Sequence, residues 1–239
     1  MENNGTAIQL SNISKYFGAK AQKEYALKDV SVSVRRGEVL MLMGPSGSGK
    51  TTLLSIMGCI LKPSSGSIVI RGREISGFSQ KQLGRIRLRH LGFIFQEYNL
   101  FPTLNVLDNV LVALDIRGMT GPKAKKQALT ALGSVGMAPK ALAMPDTLSG
   151  GQKQRLAIAR SLAGRPSVIL ADEPTAALDS DNGRKVVELM RELAHEKNHS
   201  VVIVTHDPRA VKYADRLLTI EDGRISNSQN KHAAVGEDE

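Results

Sequence analysis

The segment Gly44-Pro45-Ser46-Gly47-Ser48-Gly49-Lys50-Thr51 constrains this chain more than any other. It fits the pattern G-x-x-x-x-G-K-[ST]. Glycines in that pattern let backbone N–H groups converge on phosphate oxygens, and the following helix turns its positive end toward them. The pattern carries weight only between a strand and a helix, and both flanks comply. Val39 to Met43 is a continuous apolar run ending at a glycine, as expected of a parallel strand buried on both faces. Thr51 to Ile60 reads as a helix, with Leu53, Leu54, Ile56 and Met57 available to pack on the sheet. Gly44 through Thr52 are therefore candidate phosphate contacts. Lys50 would sit on the β- and γ-phosphates, and Thr51 would ligate Mg²⁺.

Two more short apolar runs, Val168-Ile169-Leu170-Ala171 and Val201-Val202-Ile203-Val204, are rich in β-branched residues and predict further core strands. Between them, Asn182 to Lys197 has helical spacing through Val186, Val187, Leu189, Met190 and Leu193. Strand, helix and strand in that order imply a right-handed crossover in a parallel sheet. From Glu97 to about Arg165 the strand-like runs disappear, and breakers at Pro102, Gly118, Gly121-Pro122, Gly136, Pro139 and Pro145 separate helix-forming stretches. The expected fold class is α/β. A phosphate-loop core with a parallel sheet spans residues 1–95 and 166–226, and a helical subdomain is inserted at 96–165. The alternation Val30-Ser31-Val32-Ser33-Val34 adds a small antiparallel sheet beside that core. Residues 227–239 are polar, lack apolar periodicity and are expected to form a disordered tail.

Composition narrows the function. With 239 residues, 41% hydrophobic and 23% charged, the chain reads as an ordinary globular protein. Aromatics at 4% and the absence of Trp argue against a surface built to stack bases, so no nucleic-acid partner is expected. The opening residues have neither a basic n-region nor an apolar h-region, and the longest apolar runs are far too short to span a bilayer. The chain is expected to be intracellular, and membrane work would require a second chain. A single cysteine, Cys59, excludes an internal disulfide and is expected to be buried filler. The net charge of +9 includes a dense run at Lys81, Arg85, Arg87 and Arg89. That run suits nucleic acid or anionic lipid, or is a solvated helix face.

The run Val168 to Ala171 ends in Asp172-Glu173. Beside a phosphate loop, Asp172 would hold Mg²⁺ through water, and Glu173 would polarise the attacking water as general base. Without that loop the same two acids would read as solvated residues at a strand end.

The segment Leu148-Ser149-Gly150-Gly151-Gln152, followed by Gln154-Arg155-Leu156-Ala157-Ile158-Ala159-Arg160, resembles the signature loop and helix of the ATP-binding cassette (ABC) ATPases. The remaining motifs occur in that family's order. Gln96 after Phe93-Ile94-Phe95 resembles the Q-loop glutamine, Ala177-Leu178-Asp179 the D-loop, and His206 after Thr205 the switch histidine. The resemblance covers about residues 7–226 and implies ATP and Mg²⁺ as ligands. It gives Gln96 a contact to Mg²⁺ and the attacking water, His206 the γ-phosphate, and Asp179 a place at the nucleotide. It also implies a head-to-tail dimer of two copies, in which Ser149, Gly150, Gly151 and Gln152 cap the ATP held by the other copy. On pattern alone Ser149 is equally a plain helix N-cap. For adenine, the family's N-terminal aromatic corresponds to Phe17 or, close behind, Tyr16; both could instead pack the small sheet. Lys153 and Ala176-Ala177 depart mildly from the common pattern and touch no phosphate ligand.

Within the family, Phe95-Gln96-Glu97-Tyr98-Asn99-Leu100-Phe101-Pro102 and Thr205-His206-Asp207-Pro208 are most similar to the lipoprotein-releasing and macrolide-export branch. That resemblance implies separate integral membrane permease subunits and a position at the cytoplasmic face of the inner membrane. Tyr98, Leu100 and Phe101 would then line the groove that receives a coupling helix, or else pack the helical subdomain. An amino-acid importer ATPase shares much of this region. Soluble relatives that act on nucleic acid carry a long coiled-coil arm or a second cassette, and the roughly fifty residues between Gln96 and Leu148 are too few for such an arm. A nucleotide-gated scaffold for a cell-envelope process also remains open.

Overall fold

The computed structural model describes residues 5–18 and 23–230. Strand β1 (Thr6–Phe17) pairs antiparallel with β2 (Glu24–Arg35), then with β4 (Ser65–Ile70), which pairs with the short β5 (Arg73–Glu74). Val30, Val32 and Val34 are buried while Ser31 is exposed, so the alternation does place one face of this sheet in the core.

The second sheet has six strands. Strands β3 (Val39–Met43), β6 (Leu91–Ile94), β7 (Val168–Asp172), β8 (Ser200–Val204), β9 (Arg216–Glu221) and β10 (Arg224–Asn230) lie in the order β10-β9-β3-β8-β7-β6. All are parallel except β10. Side chains of the central strands alternate between two cores. Leu40, Leu42, Leu170, Val202 and Val204 share one with the antiparallel sheet and with α1 (Lys50–Met57). Met41, Ile169, Ala171, Val201 and Ile203 face the other, with α5 (Gly150–Leu162) and α6 (Ser180–His195). Complete burial of an aliphatic side chain is worth roughly 1.5–3 kcal/mol. Strands buried on both faces therefore form the rigid part of the molecule.

Helix α2 (Gln80–His90) precedes β6. Between β6 and β7 every regular element is helical: α3 (Val106–Asp115), α4 (Gly121–Ser134), two short 3₁₀ turns and α5.

Three elements have boundaries that depart from the sequence reading by two residues or more. Helix α1 stops at Met57 rather than Ile60, because Gly58 caps it and Cys59 turns to a φ of 57°. Cys59 is buried, and burial pushes its thiol up to about 11, which leaves it inert at neutral pH. Helix α6 starts at Ser180, two residues before the expected Asn182, because Asp179 supplies the N-cap. The polar segment expected as a tail begins in strand: Asn227 to Asn230 pair with Thr219 to Arg216 on β9. An edge strand held by backbone hydrogen bonds needs no apolar pattern, and the Asp222-Gly223 turn, with φ of 49° and 77°, suits a two-residue hairpin. The rest of that expected tail, 231–239, lies outside the described residues.

At the N-terminal edge of the parallel strands a buried ion pair joins Glu38, before β3, to Arg216, at the start of β9, over 3.1 Å. Beside it the Asp215 carboxylate accepts from the Val39 amide at 2.7 Å and meets His195 Nε2 at 2.9 Å. Burial pushes the Glu38 carboxyl up, although Arg216 and Arg35 oppose it. Replacing Glu38 with Gln leaves the Arg216 guanidinium buried without its carboxylate. The expected cost is about 3 kcal/mol of unfolding free energy, read as a lower urea midpoint with nucleotide affinity unchanged.

Candidate nucleotide site

The strand order brings three loops together. Strands β3, β8 and β7 are neighbours, so the loops leaving their C-terminal ends lie side by side, where ligands gather in open α/β sheets. Glu173 N donates to Val204 O at 2.9 Å, and Thr205 N donates to Leu42 O at 3.2 Å, which locks the second and third loops to the first.

Two glycines make the first loop possible. Gly44 has φ of 147°, and a Cβ there would stand 2.0 Å from Ile220 O. Gly49, the N-cap of α1, has φ of 104°, and its Cβ would stand 2.4 Å from Ala26 O. No L side chain fits either position, so the spacing of the loop follows from sterics. The Lys50 ammonium is buried and donates to Gly44 O at 2.8 Å, to Pro45 O at 2.7 Å and to Ser48 Oγ at 3.4 Å. The loop thus holds the Lys50 ammonium against its own backbone carbonyls.

These residues open onto a cleft of about 580 Å³ lined by the glycine-rich loop, Lys50, Thr51 and Thr52, and by Gln96, Glu173 and His206. At the end of α1 nearest this cleft Thr51 Oγ1 donates to Asp172 Oδ1 at 3.2 Å. Burial, with the neighbouring Glu173 charge, raises the Asp172 carboxyl above its ordinary range, and the Thr51 hydrogen bond and Lys50 oppose the rise. A hydroxyl, a carboxylate and the Gln96 amide are all oxygen donors, which suit Mg²⁺, an ion usually bound by one or two protein oxygens with water and phosphate completing its shell. Among the described residues no cluster of three or more His, Cys, Asp or Glu exists.

Glu173 carries a φ of 48°, an uncommon conformation for a non-glycine residue that turns the chain directly after β7. Its Oε1 lies 3.0 Å from His206 Nδ1. Its Oε2 is buried with no hydrogen-bond partner among the described residues. One carboxylate oxygen is therefore anchored by the histidine, and the other remains able to accept a proton.

The Leu148 to Gln152 loop does not line this cleft. Ser149 caps α5 through a capping box: its Oγ accepts from Gln152 N at 3.4 Å, and Gln152 Oε1 accepts from Ser149 N at 3.1 Å. The hydroxyl serves as acceptor in that box, so its proton stays free for donation, and the two readings of Ser149 are compatible. Gly150 and Gly151 seat the loop closely. A Cβ at Gly150 would meet the Tyr98 hydroxyl at 3.2 Å and Leu178 at 3.3 Å, and one at Gly151 would meet Asn182 Oδ1 at 2.8 Å. Asp179 caps α6 with hydrogen bonds from Asn182 N and Nδ2, which hold its carboxyl below the usual range.

The aromatic pair sits away from this cleft as well. Tyr16 packs on Tyr25 with ring centroids 5.6 Å apart and has Lys23 over its face, whereas Phe17 is 48% exposed at the end of β1. Phe17 also carries a lysine, Lys15, over its ring at 5.1 Å, and is the more exposed of the two. The three aromatic and apolar groove candidates separate: Tyr98 and Leu100 line a hollow beside Gln96, whereas Phe101 lines a different groove with Leu88 and Ile116. Arg209, which the sequence did not single out, grips Asp207 with a forked pair of hydrogen bonds and also reaches Ser180 Oγ. It ties the turn after His206 to the first residue of α6. No sequence pattern could have announced that link, because its ends meet only in three dimensions.

A family model described as ABC transporter matches residues 27–176. The chain belongs to the ABC transporter family. Macrolide export ATP-binding/permease protein MacB of Burkholderia pseudomallei is 44% identical over 230 residues, 96% of this chain and 35% of its own length. The chain thus spans about a third of the length of the macrolide-export relatives it matches. Bacitracin export ATP-binding protein BceA of Halalkalibacterium halodurans is 42% identical, with 94% of this chain and 88% of that protein covered. Among solved structures, a dimeric post-hydrolysis state of the cassette MJ0796 of Methanocaldococcus jannaschii, bound to ADP and Pi, superposes with a TM-score of 0.84 at 39% identity. That match covers 93% of this chain and 98% of the other. The fold is that of the ABC ATPases, and the chain is an ATP-binding, ATP-hydrolysing cassette of that family.

Proposed function

We propose that two copies of this cassette close head to tail around two ATP molecules and drive a separate membrane permease, in a system that exports, or transmits force to, lipoproteins, macrolides or other amphiphiles. In this reading residues 1–95 and 166–226 form the ATP-binding core, and 96–165 form the helical subdomain. The permease would hold the pair at the cytoplasmic face of the inner membrane. Among the described residues no helix is long and apolar enough to cross a membrane.

The observation that carries the proposal is the separation of the cleft from Ser149. The cleft gathers Lys50, Thr51, Glu173, Gln96 and His206, with Asp172 hydrogen-bonded to Thr51, and none of Ser149, Gly150 and Gly151 lines it. Those three present their donors elsewhere on the same chain. Resemblance to MacB and BceA, each named for export, supports the choice of transport class.

The geometry supports the following roles. The amides of residues 46–51 and Lys50 would hold the phosphates. Thr51, Asp172 and Gln96 would hold Mg²⁺, which would neutralise phosphate charge. Glu173 would take the proton of the attacking water on Oε2, with His206 fixing the carboxylate through Oε1 and presenting its other ring nitrogen to the γ-phosphate. Phe17 would lie against adenine.

A site completed by a second copy makes activity depend on concentration. Specific ATPase activity should fall as the protein is diluted through its dimer dissociation constant. Activity per chain that stays constant over about a hundredfold dilution, with a monomer by light scattering, would overturn the shared site. Co-purification with an integral membrane protein tests the permease.

A further inference from the structure

Residues 71–96 contain six Lys or Arg and one acid, Glu74, so this short stretch carries five of the nine net positive charges of the whole chain. Helix α2 concentrates them. Leu83 and Ile86 are its buried residues, and it carries no acidic side chain. Lys81, Arg85 and Arg89 follow one another at intervals of four on the opposite side, and all three are exposed. No ion pair or hydrogen bond is recorded for any of their side chains among the described residues, whereas Arg87 is spent on the Cys59 carbonyl. Arg71 adds to the patch: its charge and that of Arg89 both push the His90 imidazole down, after burial, the larger cause.

This stripe borders an apolar groove. Leu88, on the same exposed face of α2, lines a hollow of about 600 Å³ with Ile60, Phe95, Phe101 and Ile116. The charged residues of its lining are all arginines: Arg87, Arg117 and Arg160. Each of these donates to backbone carbonyls, of Cys59, of Leu88 and Ala113, and of Tyr98 and Asn99 respectively. Solubility alone would be served by mixed charge; a one-sign stripe beside an exposed apolar hollow is a surface made to meet something anionic.

We propose that the Lys81, Arg85 and Arg89 face of α2 binds the anionic phospholipid headgroups of the membrane surface. The inference rests on the reading of the cassette as membrane-attached, and assigns the lipid contact to this chain rather than to its permease. A spread of three point charges along one helix suits a diffuse sheet of phosphate groups. The helix that bears the stripe has no Phe, Tyr or Trp on which the bases of a nucleic-acid strand could stack. Each Lys or Arg at an anionic surface is worth about 1 kcal/mol, so three together shift partitioning by about a hundredfold.

The test is flotation of the purified full chain with vesicles of phosphatidylcholine carrying about 30% phosphatidylglycerol, against vesicles of phosphatidylcholine alone. The wild-type chain should float with the anionic vesicles only, and the bound fraction should fall as salt rises. The triple variant K81E/R85E/R89E should lose about a hundredfold in partitioning, with ATP affinity unchanged because none of the three lines the nucleotide cleft. A matched reversal on α4, K123E/K125E/K126E, should float nearly as the wild type does. Equal flotation of the α2 triple and the wild type, or equal loss in the α4 triple, would overturn the assignment. So would absence of binding to anionic vesicles at low salt, or RNA outcompeting those vesicles for the same three residues. A chain that floats as expected, yet co-purifies with no integral membrane protein from its own cells, would retain the lipid face and refute the permease reading, so the two failures remain distinct.

Discussion

Glu173→Gln should lower ATP turnover by about a thousandfold and leave ATP binding intact. Glutamine keeps the size of the side chain, and its carbonyl oxygen can still accept from His206 Nδ1 at the position Oε1 occupies. The amide cannot accept the proton of water, and the buried, unpartnered Oε2 is the atom whose chemistry is lost. With ATP retained at both sites, the closed pair has no route to open. The variant should elute as a dimer in ATP and as a monomer without it. Turnover at the wild-type rate would remove Glu173 from the role of base.

Ser149→Arg should lower turnover by about a hundredfold without weakening nucleotide binding to the monomer. Arginine at this position removes the cap of α5, a loss of about 1 kcal/mol, and places a bulky side chain where a second copy would approach. A fall in monomer affinity for ATP would instead place the loop within its own site. Mixing supplies a second check. A pair of one Glu173→Gln chain and one Ser149→Arg chain contains one site with both defects and one with neither. Two inactive preparations should therefore regain turnover when combined, and failure to do so would argue against a head-to-tail site.

The part of the fold visible in sequence was the part governed by local rules. A strand, a glycine loop and a helix follow one another without interruption from Val39 to Met57, and the carboxylates after β7 needed only a buried strand to aim them. Ser149 was likewise legible as a helix N-cap, and the structure adds Gln152 as its capping-box partner. Legibility ended where contacts are long-range. Strand β10 is recognised by backbone pairing, so its exposed polar residues resemble a tail, although Asp222-Gly223 is a hairpin signal that precedes it. Tyr98 and Phe101 are three residues apart yet line different hollows, because the chain turns at Asn99, where φ is 50°. Arg209 and Ser180 stand apart in sequence and touch only because α6 returns beside the turn after β8.

The ends of the parallel strands have divided their labour. Glycines, carboxylates and His206 occupy one rim of the sheet, while Glu38, Arg216, Asp215 and His195 form a clasp at the other. Robustness and catalysis can therefore be altered independently. A variant selected for survival at high temperature can reinforce the clasp without slowing turnover, and one selected for faster turnover can change the loops while the rim opposite keeps the chain folded.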